Sequence, residues 1–103
     1  MRVSEITVAD IAAYLRLEDE EYTEQEIQML IDTAKAFIRS YTGLDDAGID
    51  LHEDLTIVVY ILCQDMYDNR TLYVDKNNLN KVVETILSMH STNLLPTPDE
   101  DVV

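Results

Sequence analysis

Glycine, proline, cysteine and tryptophan are scarce or absent in this chain of 103 residues. The two glycines, Gly43 and Gly48, lie close together, and the two prolines, Pro96 and Pro98, lie near the end of the sequence. The rest of the chain therefore has few of the residues that interrupt helices. The single cysteine, Cys63, excludes an intramolecular disulfide and fits a reducing compartment. One domain accounts for a chain of this length.

Basic residues are also scarce. Seven Lys and Arg stand against 21 Asp and Glu, which gives a net charge of −14. Because affinity for nucleic acid depends on basic residues that neutralise phosphates, we do not expect direct binding of DNA or RNA. The acidic surface fits three other roles: solubility, a conduit along which nucleic acid slides, or imitation of nucleic acid for a basic partner.

Long apolar runs and export signals are not found either. A membrane-spanning helix needs about 20 apolar residues. The continuous run from Ile57 to Cys63 is shorter and is bounded by acids before it and by Gln64 and Asp65 after it. The sequence MRVSEITVAD has neither the apolar core nor the cleavage site of a signal peptide. We therefore expect a protein that is made in the cytoplasm and does not contact a membrane.

Capping signals and apolar periodicity predict an all-α fold, a small bundle of about four helices. Thr7 with Asp10, and Thr23 with Glu26, form capping boxes. They start a short helix that runs to about Leu17 and a second helix that ends at Gly43. A last helix is predicted from about Leu79 to His90. We expect one helical domain over residues 1–92 and a flexible acidic C-terminal tail over residues 93–103.

The third predicted helix, Leu51 to Asn69, is long, central and apolar on nearly every side. Such a helix is enclosed by other protein, either by the other helices or by neighbouring subunits. The second possibility indicates an assembly protein. The segment before it, Leu44 to Asp50, is predicted to be a loop, with Asp50 as the N-cap of the third helix. Its acids do not follow the order of ligands in a calcium-binding loop.

No catalytic motif is found in the sequence. Cys63 lies in the most apolar helix, which predicts a buried, inert thiol. His52 and His90, in different predicted helices, cannot complete a usual zinc site with one cysteine, which leaves only a site completed by carboxylates as an alternative. The sequence also contains no glycine-rich phosphate loop, GxSxG or HExxH motif. We therefore expect a protein that is not an enzyme and that holds no metal and no cofactor.

Four segments, in this order, carry a family resemblance. They are Tyr14-Leu15-Arg16-Leu17 followed by acids, Leu30-Ile31 with Ala34 and Phe37-Ile38, Tyr41-Thr42-Gly43, and the apolar helix that closes in Tyr67-Asp68-Asn69-Arg70. In this order and spacing the chain resembles the small head-tail connector (adaptor) proteins of tailed bacteriophages, which are also labelled DNA packaging proteins. The last tetrapeptide is the most specific of the four.

The resemblance implies a structural virion protein without enzymatic activity or cofactor. Such subunits assemble as a homo-oligomeric ring of about twelve copies beneath the portal protein. The ring extends the DNA channel, helps to retain the packaged DNA and docks the tail-completion protein, while DNA passes only as cargo. The expected locations are the host cytoplasm during assembly and the head-tail junction of the virion. The chain departs from the family pattern at Ser88-Met89-His90-Ser91, which is less basic than the usual close.

The candidate oligomer or family-motif residues are Arg16, Glu18, Tyr67, Asp68, Asn69 and Arg70. One hypothesis is that Arg70 and Arg16 form bidentate pairs with acids such as Asp68 or Glu18, within the chain or across subunits. The alternative is that Arg70 only favours the helix dipole and donates to the last carbonyls of its helix.

Two other functional classes fit the same composition. An acidic DNA mimic that inhibits a DNA-binding protein would use the net charge as a small soluble species. A generic helical protein-interaction module would need no ring. The ring-forming connector subunit is the function that the resemblance favours.

Overall fold

The structure is a computed structural model that describes residues 1–91, which form five α-helices and three short 3-10 turns. The helices are α1 (Val8–Tyr14), α2 (Glu24–Thr42), α3 (Asp46–Asp50), α4 (Leu55–Asn69) and α5 (Lys81–His90), and the turns are Val3–Glu5, Asp19–Glu21 and Lys76–Asn78. None of residues 1–91 forms a strand, so the prediction of an all-helical fold is confirmed. The predicted tail, residues 93–103, lies outside the described residues.

Local sequence signals set the ends of α2. The hydroxyl of Thr23 accepts a hydrogen bond from the backbone N–H of Glu26 (3.1 Å), and the carboxylate of Glu26 accepts one from the N–H of Thr23 (3.0 Å). This reciprocal capping box satisfies two N–H groups that have no partner inside the helix. Gly43, with φ of 77°, ends the helix in the left-handed conformation. Both predicted ends of α2 are therefore confirmed.

The prediction of a loop over Leu44 to Asp50 is wrong, because this segment contains α3. The Asp45 carboxylate accepts a hydrogen bond from the N–H of Gly48 (2.7 Å) and starts the helix. Ile49 is buried in the core, which holds the helix in place. Asp50 is the last residue of α3 rather than the N-cap of the next helix, and its carboxylate accepts a hydrogen bond from the N–H of Ser4 (2.9 Å). Residues 1–91 thus form five α-helices rather than about four.

The most apolar helix, α4, begins at Leu55, later than the predicted Leu51. It contacts α1, α2, α5 and the first 3-10 turn. Its buried residues are Leu55, Val58, Val59, Leu62, Cys63 and Met66. Burial raises the pKa of the Cys63 thiol to about 12, so the prediction of a buried thiol is confirmed. Among residues 1–91, neither α4 nor any other helix combines the length and apolarity that a membrane span requires.

The other helices do not enclose α4 completely. Ile57 is 52% exposed, and the neighbouring side chains of Tyr60 and Ile61 are only partly buried. These three residues lie together on the helix surface because residues three or four positions apart share a face. We call them the open face of α4. The excess of apolar residues in this helix is therefore only partly covered by the other residues that the structure describes.

Candidate functional site

Two clefts meet at the C-terminal end of α4. The first has a volume of about 270 Å³, and we call it the apolar groove; among its lining residues are Ile27, Met29, Leu30, Met66, Tyr67 and Leu72. The second has a volume of about 440 Å³, and we call it the polar cleft; among its lining residues are Asp65, Asn69, Tyr73, Asp75 and Asn78. Met66 and Thr71 line both clefts, which therefore lie on two sides of the same helix end.

The four residues of the Tyr67–Arg70 tetrapeptide point in different directions. Tyr67 and Arg70 line the apolar groove, and the guanidinium of Arg70 lies over the Tyr67 ring, 4.8 Å from its centroid. Asn69 lines the polar cleft, and its side-chain amide donates a hydrogen bond to the carbonyl of Asp65 (2.9 Å). The Asp68 carboxylate accepts a hydrogen bond from the amide of Gln64 (2.9 Å). The tetrapeptide is thus distributed over three sides of the helix end.

Arg70 has a backbone conformation that usually belongs to glycine. Its φ is 54° and its ψ is 43°, in the left-handed region. The N–H of Arg70 donates to the carbonyl of Tyr67 (3.2 Å), and the N–H of Thr71 donates to the carbonyl of Met66 (3.0 Å). This pair of bonds is the Schellman motif, in which glycine is the common residue at the left-handed position.

Arg16 occupies the equivalent position after α1. Its φ is 60°, its N–H donates to the carbonyl of Ala13 (3.1 Å), and the N–H of Leu17 donates to the carbonyl of Ala12 (3.0 Å). This left-handed turn also explains why α1 ends at Tyr14, earlier than predicted. A left-handed residue with a β-carbon costs about 1–2 kcal/mol. The two candidate arginines are therefore the two non-glycine residues with positive φ in the described part of the chain.

Neither of these arginines pairs with an acid within residues 1–91. The backbone N–H of Glu18 donates to the carboxylate of Glu21 (2.6 Å) at the start of the second 3-10 turn. Glu21 lines the apolar groove together with Arg70, although the two form no salt bridge. The in-chain form of the proposed arginine pairs is thus not present in the described residues. The form across subunits stays a prediction.

Hydrogen bonds and burial set the charges around the polar cleft. Burial, together with the nearby charge of Asp68, raises the pKa of Asp65. Hydrogen bonds from Asn78 and Asn77 lower the pKa of Asp75, which the side chain of Asn78 contacts at 2.7 Å. The cleft therefore presents the carboxylates of Asp65 and Asp75. Local hydrogen bonds hold Asp75 and the side-chain amides of Asn69 and Asn78.

A histidine cluster without a signal in the sequence lies at the opposite end of α4. Nε2 of His90 lies 2.7 and 2.9 Å from the two carboxylate oxygens of Asp54, and the rings of His90 and His52 stack with centroids 4.1 Å apart. His52 lies in the turn between α3 and α4 rather than in a helix. Within residues 1–91 no group of three His, Cys, Asp or Glu is placed to hold a metal ion. The contact between His90 and Asp54 joins the end of α5 to the residue that precedes α4.

Comparison of the chain with protein-family models, with curated proteins and with solved structures gives no match.

Proposed function

We propose that this chain is a structural, non-enzymatic subunit of the head-tail connector of a tailed bacteriophage. Copies of the chain form a ring beneath the portal protein, extend the DNA channel, help to retain packaged DNA and dock the tail-completion protein. The observation that carries the proposal is the ordered resemblance of four sequence segments to that family, above all the helix end Tyr67–Arg70.

The open face of α4 supports assembly. In the proposed fold α4 is the long central helix of a small bundle, and Ile57, Tyr60 and Ile61 leave one apolar side of it incompletely covered. Tyr14 extends this surface, because its ring meets the Tyr60 ring edge to face with centroids 5.0 Å apart. Contiguous exposed apolar surface often marks a protein-protein contact. A neighbouring subunit would cover it.

The two left-handed arginines support the same function. Arg16 and Arg70 are exposed and have no ion pair within residues 1–91, yet each retains a β-carbon in a conformation that glycine adopts more easily. Strain that is kept in a native structure often accompanies a functional requirement for the side chain. Bidentate pairs with carboxylates of a neighbouring subunit would explain why an arginine side chain is required at these positions.

The net charge of −14 fits a conduit. An acidic wall repels the phosphates of passing DNA, so that the DNA moves without binding to the ring. The same charge would serve a DNA mimic. The two functions differ in the species that is active, because the connector subunit acts as a ring and the mimic acts as a small soluble protein.

Negative-stain microscopy of the full chain, alone and with its cognate portal protein, tests the proposal. We expect ring-shaped particles, either at high protein concentration or on the portal. A parallel assay measures whether the chain competes with DNA for a basic DNA-binding protein. Competition by a monomer, together with no rings under any condition, would replace the connector with the DNA mimic. Neither rings nor competition would leave a generic interaction module.

A further inference from the structure

We propose that the apolar groove of one copy of this chain binds Leu94 and Leu95 of a second copy. This inference rests on the proposed ring and identifies one contact that joins its subunits. It uses two surfaces at opposite ends of α4: the groove, and the point at which the chain continues beyond Ser91.

The groove is open and apolar. Its floor includes the buried side chains of Ile27, Leu30 and Met66, whereas Met29 and Leu72 are 43% and 48% exposed at its edges. An incoming apolar side chain would therefore remove from water both its own surface and the exposed parts of these two residues. Burial of apolar surface is the main source of affinity in most protein contacts.

The chain leaves the described domain at the other end of α4. His90, the last residue of α5, is held by Asp54, which directly precedes α4. The hydroxyl of Ser91 contacts the carbonyl of Tyr41, near the end of α2, at 3.5 Å. Both contacts place Ser91 beside the N-terminal end of α4. The segment that follows contains adjacent leucines and then two prolines in NLLPTP.

Chain length favours the groove of another copy over the groove of the same subunit. Leu95 lies four residues beyond Ser91, so even a fully extended chain carries its Cα about 14 Å from that of Ser91. The groove lies beside Tyr67, and the helix rises by about 20 Å between Asp54 and Tyr67. The Cα reach is therefore shorter than the distance along the helix to Tyr67 of the same subunit, whereas an adjoining copy can bring its groove nearer to Ser91.

A contact of this kind is head-to-tail, because it joins two different surfaces. Head-to-tail contacts generate closed rings when the rotation between subunits closes, whereas two-fold contacts stop at a dimer. Arg70 gives the contact one complementary charge. Arg70 lies at the edge of the groove without an acid partner in residues 1–91, and the arriving segment continues into Asp99-Glu100-Asp101. Glu21 and Glu26 line the groove as well and would repel the acids of the arriving segment. We therefore expect Asp99-Glu100-Asp101 on the Arg70 side of the groove.

Mixing two defective variants of the full chain tests the contact. The tail variant carries Leu94→Asp and Leu95→Asp and keeps an intact groove. The groove variant carries Met29→Glu and Leu72→Glu and keeps an intact tail. Val82→Glu is the matched control for the groove variant, because Val82 is 53% exposed on α5 and does not line the groove. Thr97→Asp is the control for the tail variant. Circular dichroism verifies that each variant retains its helices.

Sedimentation velocity then measures association, with wild type first brought to conditions in which it assembles, alone or on the portal. We expect each double variant to lose self-association, with a dissociation constant raised by about 100-fold, as the loss of apolar anchors causes. The two controls should assemble like wild type. An equimolar mixture of the double variants should form a 1:1 dimer and nothing larger, because only one functional tail and one functional groove can meet.

The outcomes separate this inference from the proposed function. If either double variant assembles like wild type, the second copy does not occupy the groove, although the ring still stands. If the groove variant assembles normally and loses only the binding of a tail-completion protein, the groove belongs to that partner, and the inference is overturned. If wild type stays monomeric under every condition, with and without portal, both the inference and the ring are wrong.

Discussion

His90 and Asp54 join the end of the last helix to the start of the most apolar helix. Nε2 of His90 lies 2.7 Å from one carboxylate oxygen of Asp54 and 2.9 Å from the other, across 36 positions of sequence. The contact places the end of α5 beside the start of α4. We infer that this position decides which copy receives the segment after Ser91.

Replacing His90 with Ala should therefore destabilise the end of α5. We expect a loss of about 1 kcal/mol in the free energy of unfolding, the typical contribution of one hydrogen bond. Chemical denaturation measures it. Met89→Ala is the matched control, because Met89 is the preceding residue of α5 and is exposed, so this change should leave stability nearly unaltered. Equal effects of the two substitutions would show that the contact with Asp54 does not anchor the helix.

Glycine substitutions at the left-handed arginines should separate stability from assembly. We expect Arg16→Gly to raise the free energy of unfolding of the monomer by about 1 kcal/mol, since glycine removes the crowding of the β-carbon. Arg16→Ala keeps that carbon and should bring no gain. At Arg70 the gain is partly offset, because its contact with the Tyr67 ring contributes about 0.5–1 kcal/mol at an exposed site.

Ring formation by the same variants gives the functional half of this prediction. Arg16→Gly and Arg70→Gly should fold with normal helicity and fail to form rings, because the guanidinium groups that bind neighbouring carboxylates are missing. Thermal melts and microscopy of each variant provide the two measurements. If the glycine variants assemble like wild type, both arginines serve only to end their helices and do not contribute to the ring.

The sequence predicted the elements whose signals are local. Thr23, Glu26 and Gly43 define both ends of α2 within the helix itself or next to it. In contrast, α3 spans only five residues, too few for apolar periodicity to be visible. It forms because Ile49 packs into a core that is built by distant parts of the chain. Non-local packing of this kind is not visible in a single sequence.

The candidate site, like the fold, could be predicted only in part from the sequence. The tetrapeptide Tyr67–Arg70 was singled out from the sequence, but the separation of its side chains between two clefts depends on the path of residues 71–78. Met29 gives a weaker signal, because it is an apolar residue outside the apolar stripe of α2. The pairing of His90 with Asp54 has no sequence signal, because the two residues are brought together only by the packing of α5 on α4.

Asp65 should make stability depend on pH. Its folded-state pKa is raised by burial and by the Asp68 charge, so its ionisation weakens the fold as the pH rises from the unfolded value through the folded one. Asp65→Asn removes the charge and, with it, this loss of stability at higher pH. We expect the variant to melt at a higher temperature than wild type near neutral pH and at the same temperature near pH 3, where both forms are uncharged. A difference between the two proteins that persists unchanged in acid would show that ionisation of Asp65 is not its cause.

Salt should strengthen self-association. Subunits with a net charge of −14 repel one another, and salt shortens the range of that repulsion to about 8 Å at physiological ionic strength. Because acids outnumber bases by 21 to 7, this relief should outweigh the weakening of individual ion pairs. Sedimentation across a salt series should show larger species at higher salt. If rings form at low salt, they should form only on the portal. Weaker association at high salt would mean that attraction between opposite charges dominates the contact.

The mass of the complex between this chain and its cognate portal protein tests the central claim most directly. Each bound copy adds 11.8 kDa, which native mass spectrometry resolves. Because each subunit of a ring contacts its neighbours as well as the portal, we predict a cooperative change from the bare portal to one fully occupied complex, with few intermediates. A ladder of partly occupied portals, in which copies bind independently, or no complex at any salt concentration, would contradict the assignment of this chain as a ring-forming connector subunit.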